Sequence, residues 1–178
     1  TASVGSYTIT PSALTLSTGS ASNYSISYVT GTLTVNTAAL TITGLTANNK
    51  TYDGTTVATF TGTEAYSGLQ NGESFMVTGT PTASFASASV GTSKTVTFSG
   101  FTAPSSNYSV TQPTTTANIT AASLTITADD VYKASGTTLS SPVTGSVAFS
   151  ASGLVNDEVI GSVTITYGTG AASTAAVG

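Results

Sequence analysis

Apolar residues alternate with threonine or serine along most of this chain. The pattern occurs in YTIT (7–10), NYSISYV (23–29), TLTV (32–35), ALTIT (39–43), KTVTFS (94–99), SLTITA (123–128) and SVTITY (162–167). A two-residue period gives a strand one buried face and one face in water. Threonine suits this role because its branched Cβ favours extended backbone. The sequence therefore predicts an all-β chain of short antiparallel strands, without long helices.

Charged residues are scarce, which narrows the classes of function. They make up 6 % of the chain, against about a quarter in average proteins. Three lysines and no arginine give no cationic surface for nucleic acid, and no apolar run reaches the roughly 20 residues of a membrane span. Without His or Cys there is no triad base, thiol nucleophile or zinc site. We expect no enzyme, no metal or other cofactor, no nucleic-acid partner and no membrane insertion.

Several motifs return after 84 or 85 residues. LTIT occurs at 40–43 and 124–127, SNY at 22–24 and 106–108, and SGLQNGE at 67–73 becomes SGLVNDE at 152–158. A shared period with a kept order indicates a tandem array. The predicted division is the C-terminal third of an upstream module at 1–36, a complete module at 37–121, and the N-terminal two thirds of a further module at 122–178.

The two partial modules raise the question of their partners. A module that lacks a third of its strands leaves a sheet edge and a core face uncovered. We expect neighbouring modules of the array, or identical chains head to tail, to complete them. Alternation does not distinguish a sandwich-like module from a β-grasp-like one, so both topologies stay open.

The middle module resembles a known family. LTITGLTANNKTYDGTTVATF, GLQNGESF, ASVGTSKTVTFSGF and SSNYSVTQPTTTANIT, between residues 39 and 120, resemble the YDG domain of bacterial surface proteins. LTITADDVYKASGTTL after 122, and SNYSISYVTGTLTVN before 37, resemble parts of the related MBG domain. The resemblance implies a cell-surface or extracellular location in a large repetitive exoprotein, including filamentous-haemagglutinin-like adhesins, a stalk or adhesive role, and no catalytic residues.

Lys50, Tyr52 and Asp53, followed by Gly54, form the densest cluster of reactive side chains. A Lys–Asp pair could act in acid–base chemistry or form an isopeptide crosslink. The alternative is a structural turn, with Tyr52 packing on the core and Asp53-Gly54 reversing the chain. We interpret Tyr52, Asp53 and Gly54 as a structural turn motif.

Other candidate sites have weaker patterns. The acids of 71–73, 156–158 and 129–130 could bind calcium, but they lack a dense run of carboxylates. The tyrosines could stack on sugars, although core packing is the commoner role; they are Tyr24, Tyr28, Tyr66, Tyr108 and Tyr167.

The residues and the resemblance together favour a non-catalytic structural repeat, acting as a stalk or filament segment in adhesion or assembly. The alternative is an adhesin module that binds a host or matrix carbohydrate or protein directly.

Overall fold

A computed structural model describes residues 2–174, and the predicted all-β fold is confirmed there. The strands are β1 (Gly5–Ile9), β2 (Gly31–Val35), β3 (Ala38–Ala47), β4 (Lys50–Thr51), β5 (Val57–Ala58), β6 (Phe60–Ser67), β7 (Thr78–Phe85), β8 (Gly91–Thr102), β9 (Tyr108–Thr111), β10 (Thr114–Thr120), β11 (Thr125–Ala128), β12 (Val143–Ser146), β13 (Phe149–Ser152) and β14 (Val163–Ile165). The only helical segments in the described part are the 3₁₀ turns Ala21–Asn23 and Thr169–Ala171. Within residues 2–174, no helix has the length and apolarity that crossing a bilayer requires.

The strands form five small sheets. Their strand orders are β1-β2, β6-β3-β9, β4-β10-β8-β7-β5, β11-β13 and β12-β14. Several of the pairs are antiparallel, as expected, but β3 pairs with β9 and β10 pairs with β4 in parallel. Alternation fixes which face a residue occupies but carries no information on strand direction.

The chain divides into two compact units. The first contains 1–47, 58–84 and 96–115, and the second contains 48–57, 85–95 and 116–178. Thr1 and residues 175–178, which belong to the predicted terminal modules, lie outside the described residues. The module boundaries at 36/37 and 121/122 stay predictions.

Buried apolar side chains lie only between Leu40 and Ile119 in the described part of the chain. In the first unit, Leu40, Val96 and Phe98 are fully buried, and the Phe60 ring meets Phe98 edge-on at 5.1 Å between centroids. Phe60 lies on β6 and Phe98 on β8, so this contact joins two sheets. In the second unit the buried apolar residues are Phe85, Ala117 and Ile119.

One predicted strand is wrong. Residues 24–30 have no strand structure, although NYSISYV alternates as clearly as the segments that do. The corresponding segment 84 residues later is β9, which pairs with β3. Alternation is therefore not sufficient for a strand, since residues 24–30 pair with no described strand.

Candidate functional site

The Tyr-Asp-Gly turn (52–54) follows the short strand β4. The Tyr52 N–H donates to the Thr120 carbonyl oxygen at 2.8 Å, which continues the pairing of β4 with β10. Asp53 Oδ1 then accepts bonds from the Thr55 N–H and the Thr55 hydroxyl, both at 2.9 Å. An aspartate that binds the backbone two residues on stabilises a turn. The carboxylate is therefore engaged in fixing the local chain path.

The Lys50 ammonium group binds several oxygens of the same turn. Its Nζ lies 2.7 Å from Asp53 Oδ1 and 2.7 Å from the Thr55 carbonyl oxygen. It is also 3.0 Å from Thr55 Oγ1 and 3.0 Å from the Val57 carbonyl oxygen, and 5.7 Å from the centre of the Phe85 ring. The ammonium and the two Thr55 bonds lower the pKa of Asp53 to about 2. These are the contacts of a structural cation in an ordered turn.

A loop at residues 155–158, in the C-terminal part of the second unit, also contacts the turn. We call it the Glu158 loop. The Tyr52 hydroxyl donates a short hydrogen bond to Glu158 Oε1. This bond, followed by burial and by the charges of Glu158 and Asp53, raises the pKa of Tyr52. A carboxylate that accepts from the phenol favours the protonated phenol.

Gly54 fits closely against the same loop. Its φ of 76° lies in the left-handed region, and a Cβ added there would come 2.4 Å from the Asn156 Cβ. Asn156 and Asp157 themselves have φ of 55° and 57°. Glycine thus serves both the backbone conformation and the close approach.

An equivalent loop, the Glu73 loop (70–73), lies in the first unit and binds a different tyrosine. The Tyr108 hydroxyl donates to Glu73 Oε2 at 2.5 Å and accepts from the Gln70 N–H at 3.0 Å. The bond to Glu73 is the main cause of a raised Tyr108 pKa. Phe75 packs edge-on against the Tyr108 ring at 6.2 Å. Glu73 and Glu158 are 85 residues apart. A glutamate at the same position of the repeat therefore accepts a hydrogen bond from a tyrosine hydroxyl in both units.

A YDG domain is found at residues 36–117. The match covers the Tyr-Asp-Gly turn, the Glu73 loop and all of β3 to β9. No curated protein and no solved structure matches the chain.

Each of the two loops borders a small pocket. The pocket at the Glu73 loop measures about 160 Å³ and is lined by Val4, Asn36, Asn71, Asn107 and Tyr108, among others. The pocket at the Glu158 loop measures about 190 Å³ and is more apolar, with Tyr52, Val90, Leu124, Leu154 and Val155. Val4 and Val90 follow the same alanine-serine pair in the repeat. The two pockets therefore share several corresponding positions of the repeat, and the second also includes Tyr52 and Val90 of the YDG domain.

The other predicted candidates lie apart from one another. No group of three or more His, Cys, Asp or Glu side chains converges within residues 2–174. Glu73 and Glu158, considered for calcium, bind tyrosine hydroxyls instead. Among the tyrosines, Tyr108 is buried in the YDG domain, and the Tyr66 hydroxyl donates to the Thr102 carbonyl oxygen at 2.5 Å.

Sequence reasoning missed the pairing of tyrosine with glutamate. The signal was present in the fixed 85-residue spacing of the two glutamates, which we interpreted only as a repeat marker. It could not show which tyrosine each glutamate meets, because Tyr108 lies 35 residues after Glu73 and Tyr52 lies 106 residues before Glu158.

Proposed function

We propose that this chain is a non-catalytic structural segment of a large bacterial cell-surface or extracellular protein. Its YDG domain would be one module of a stalk or filament used in adhesion or assembly. The flanking pieces, 1–36 and 122–178, would be parts of MBG-like modules in an exoprotein of the filamentous-haemagglutinin-like kind. Neighbouring modules are the partners in this proposal.

The observation that carries the proposal is the joint between the Tyr-Asp-Gly turn and the Glu158 loop. The Tyr52 hydroxyl reaches Glu158, and Gly54 lies against Asn156. A module that transmits load benefits from specific contacts with the next module, since a bare linker permits free reorientation. The side chains that a reaction would need are used here to hold a turn and a joint.

The linking segment between the YDG domain and the following residues supports the same reading. β10 ends at Thr120 and β11 begins at Thr125, so only the four residues Ala121, Ala122, Ser123 and Leu124 separate them. They include neither Gly nor Pro. A connection of this length leaves little freedom between consecutive elements.

The experiment is to release the joint in the full chain with Glu158→Gln. The amide is a weaker acceptor than the carboxylate, so the loop should detach more often. We expect faster hydrogen exchange in 155–158 and a broader distance distribution between spin labels at exposed positions 92 and 150. The neighbouring variant Asp157→Asn removes the same charge without touching Tyr52 and is the matched control.

Equal distance distributions for the wild type, Glu158→Gln and Asp157→Asn would contradict the proposal, because the joint would then contribute nothing to mechanical coupling. Turnover of any substrate by the purified chain would also contradict it.

A further inference from the structure

The Glu73 loop carries an Asn-Gly pair at its tip. The chain has eight asparagines, and only Asn71 is followed by glycine. The Glu73 N–H donates to the Gln70 carbonyl oxygen at 3.0 Å, and Asn71 and Gly72 have φ of 54° and 72°. Two central residues with positive φ are typical of a type I′ turn, for which Asn-Gly is a preferred pair. The pair therefore occupies the centre of a tight turn.

The tip of this turn is open to water. Asn71 and Gly72 are exposed, and a Cβ added to Gly72 would meet nothing within 4 Å. Among residues 2–174, the structure gives the Gly72 N–H no hydrogen-bond partner. Glycine also lacks the side chain that would hinder the approach of another group to its nitrogen. The Gly72 nitrogen is therefore accessible to the side chain that precedes it.

We propose that Asn71 is a site of spontaneous covalent modification, at which its side-chain amide is converted to a carboxylate. The Gly72 nitrogen forms a bond to the side-chain carbonyl carbon of Asn71, and the side-chain nitrogen leaves as ammonia with the proton of the Gly72 N–H. Water then opens the cyclic imide at either carbonyl, which gives aspartate or isoaspartate. Water is the only co-reactant. Because Asn71 must rotate out of the turn for the attack, the rate also depends on local opening of the loop.

The Glu158 loop contains the same turn with a different second residue. The N···O distance between its last and first residues is 3.1 Å. Asp157 stands where the first turn has glycine, and its Cβ hinders attack by its own nitrogen. The Asn156 side chain also packs against Gly54. We therefore expect Asn156 to keep its amide while Asn71 loses it.

The products alter the Glu73 loop in two ways. Aspartate brings a second carboxylate to the pocket that Asn71 shares with Glu73, and like charges in one site disfavour each other. Isoaspartate adds a carbon to the backbone, so the turn loses its geometry. Both changes weaken the bond between Glu73 and the Tyr108 hydroxyl. This loop of the YDG domain therefore loosens with age, a property that goes beyond the proposed structural role.

The first experiment follows both loops in one sample of the full chain. The folded protein is kept at neutral and at mildly alkaline pH, and its peptides are mapped by mass spectrometry with fragmentation that distinguishes aspartate from isoaspartate. We expect conversion at Asn71 to be at least about ten-fold faster than at Asn156, since only the first is followed by a residue without a Cβ. The rate should rise with pH, because the attacking nitrogen must lose its proton.

The matched variant is Gly72→Asp, which gives the Glu73 loop the Asn-Asp pair of the Glu158 loop. The turn should tolerate it, because Asp157 has positive φ at the equivalent position and the space around Gly72 is open. We expect conversion at Asn71 to slow by at least about ten-fold. The reciprocal variant Asp157→Gly should speed the conversion of Asn156.

A urea-unfolded sample shows whether the folded loop permits the reaction. Conversion of Asn71 in urea, with equally slow conversion of Asn71 and Asn156 in the folded chain, would overturn the inference, because the turn would then protect the amide. A rate at Asn71 that Gly72→Asp leaves unchanged would overturn it as well, because the Gly72 nitrogen would then not be the attacking group.

The structural consequence is measured by hydrogen exchange before and after ageing. Exchange in 70–73 should become several-fold faster in the aged wild type and stay unchanged in aged Gly72→Asp, and exchange in 155–158 should change in neither. Unchanged exchange in a fully converted wild type would contradict the loosening of the loop. None of these outcomes depends on Glu158→Gln, so the proposed function is decided separately.

Discussion

The tetrapeptide LTIT occurs twice in this chain and behaves differently each time. At 40–43 it lies in the middle of a three-stranded sheet, with Leu40 and Ile42 buried. At 124–127 it lies at the edge of a two-stranded sheet, with Leu124 and Ile126 about half exposed. Four identical residues therefore have different burial because their neighbours differ.

The comparison shows that a strand's local sequence determines its face pattern but not its burial. Thr-interleaved strands carry few apolar side chains each, and a core forms only when sheets from several parts of a module face one another. Between Leu40 and Ile119, the sheets enclose the buried apolar side chains of the described residues. The described residues before Leu40 and after Ile119 show the same alternation but bury no apolar side chain.

The largest expected effect comes from truncating the two leucines of this repeat. Leu40→Ala should lower the free energy of unfolding by about 2–5 kcal/mol, because it leaves a cavity in a closed core. Leu124→Ala should cost under about 1 kcal/mol, because the side chain is already half in water. Urea denaturation at micromolar protein concentration measures both. Equal losses would mean that the two LTIT segments are buried alike in solution.

Replacing glycine by alanine compares the stability of the turn that contacts the Glu158 loop with that of a turn that has no such contact. Gly54→Ala should lower stability by about 2–3 kcal/mol, since it forces alanine into left-handed backbone and brings its Cβ against Asn156. Gly136 has φ of 84° but nothing within 4 Å of an added Cβ. Gly136→Ala should therefore cost only about 1 kcal/mol. Thermal unfolding of the two variants measures this difference. A larger loss of stability in Gly136→Ala than in Gly54→Ala would show that the contact with Asn156 does not determine the cost.

Acid sensitivity should reside in the YDG domain. The folded pKa of Asp53 is about 2, below its ordinary 3.8, so its contribution to stability is complete above pH 4 and is lost as the pH falls towards 2. Asp53→Asn should flatten the stability profile between pH 4 and 2 and lower stability at neutral pH. Asp130→Asn, at an exposed position after β11, removes the same charge and serves as control. A profile unchanged by Asp53→Asn would show that the Lys50 contacts do not persist in solution.

The smallest effect is expected for the Tyr52 hydroxyl, which donates a hydrogen bond to Glu158. The Tyr52 pKa is raised by its bond to Glu158, so the stabilisation is complete below pH 10 and is lost as the pH rises through the folded value. Tyr52→Phe should abolish this alkaline transition in the hydrogen exchange of 155–158 and speed that exchange at neutral pH. Tyr132→Phe, at a strongly exposed tyrosine, should do neither; a transition that survives in Tyr52→Phe would assign it to another group.

The sequence predicted the class of fold because the two-residue period depends only on the chain itself. The predicted segments 32–35, 39–43 and 94–99 lie within strands, and 7–10 overlaps β1 as far as Ile9. It failed at 23–29, where the same alternation is present but no strand forms. The parallel pairing of β3 with β9 was also beyond reach, because direction depends on how distant segments meet.

The Tyr-Asp-Gly turn shows the same limit at the level of a site. Turn chemistry was readable from Asp53 and Gly54, since both residue types have local conformational reasons to be there. The bond from Tyr52 to Glu158 was not, because it joins positions 106 residues apart. The repeat spacing marked Glu158 as special without naming its partner.

The set of hydrogen bonds around the Lys50 ammonium group has a consequence for protein engineering. Four oxygens from three residues surround one nitrogen within 3.0 Å, an arrangement that suits a compact, roughly spherical cation. An arginine guanidinium is planar and presents its N–H donors in a rigid fork. It therefore cannot place one nitrogen within hydrogen-bond distance of all four oxygens. Any arginine-enriched variant of this chain, such as one made to raise its solubility, should therefore keep its lysine at this position.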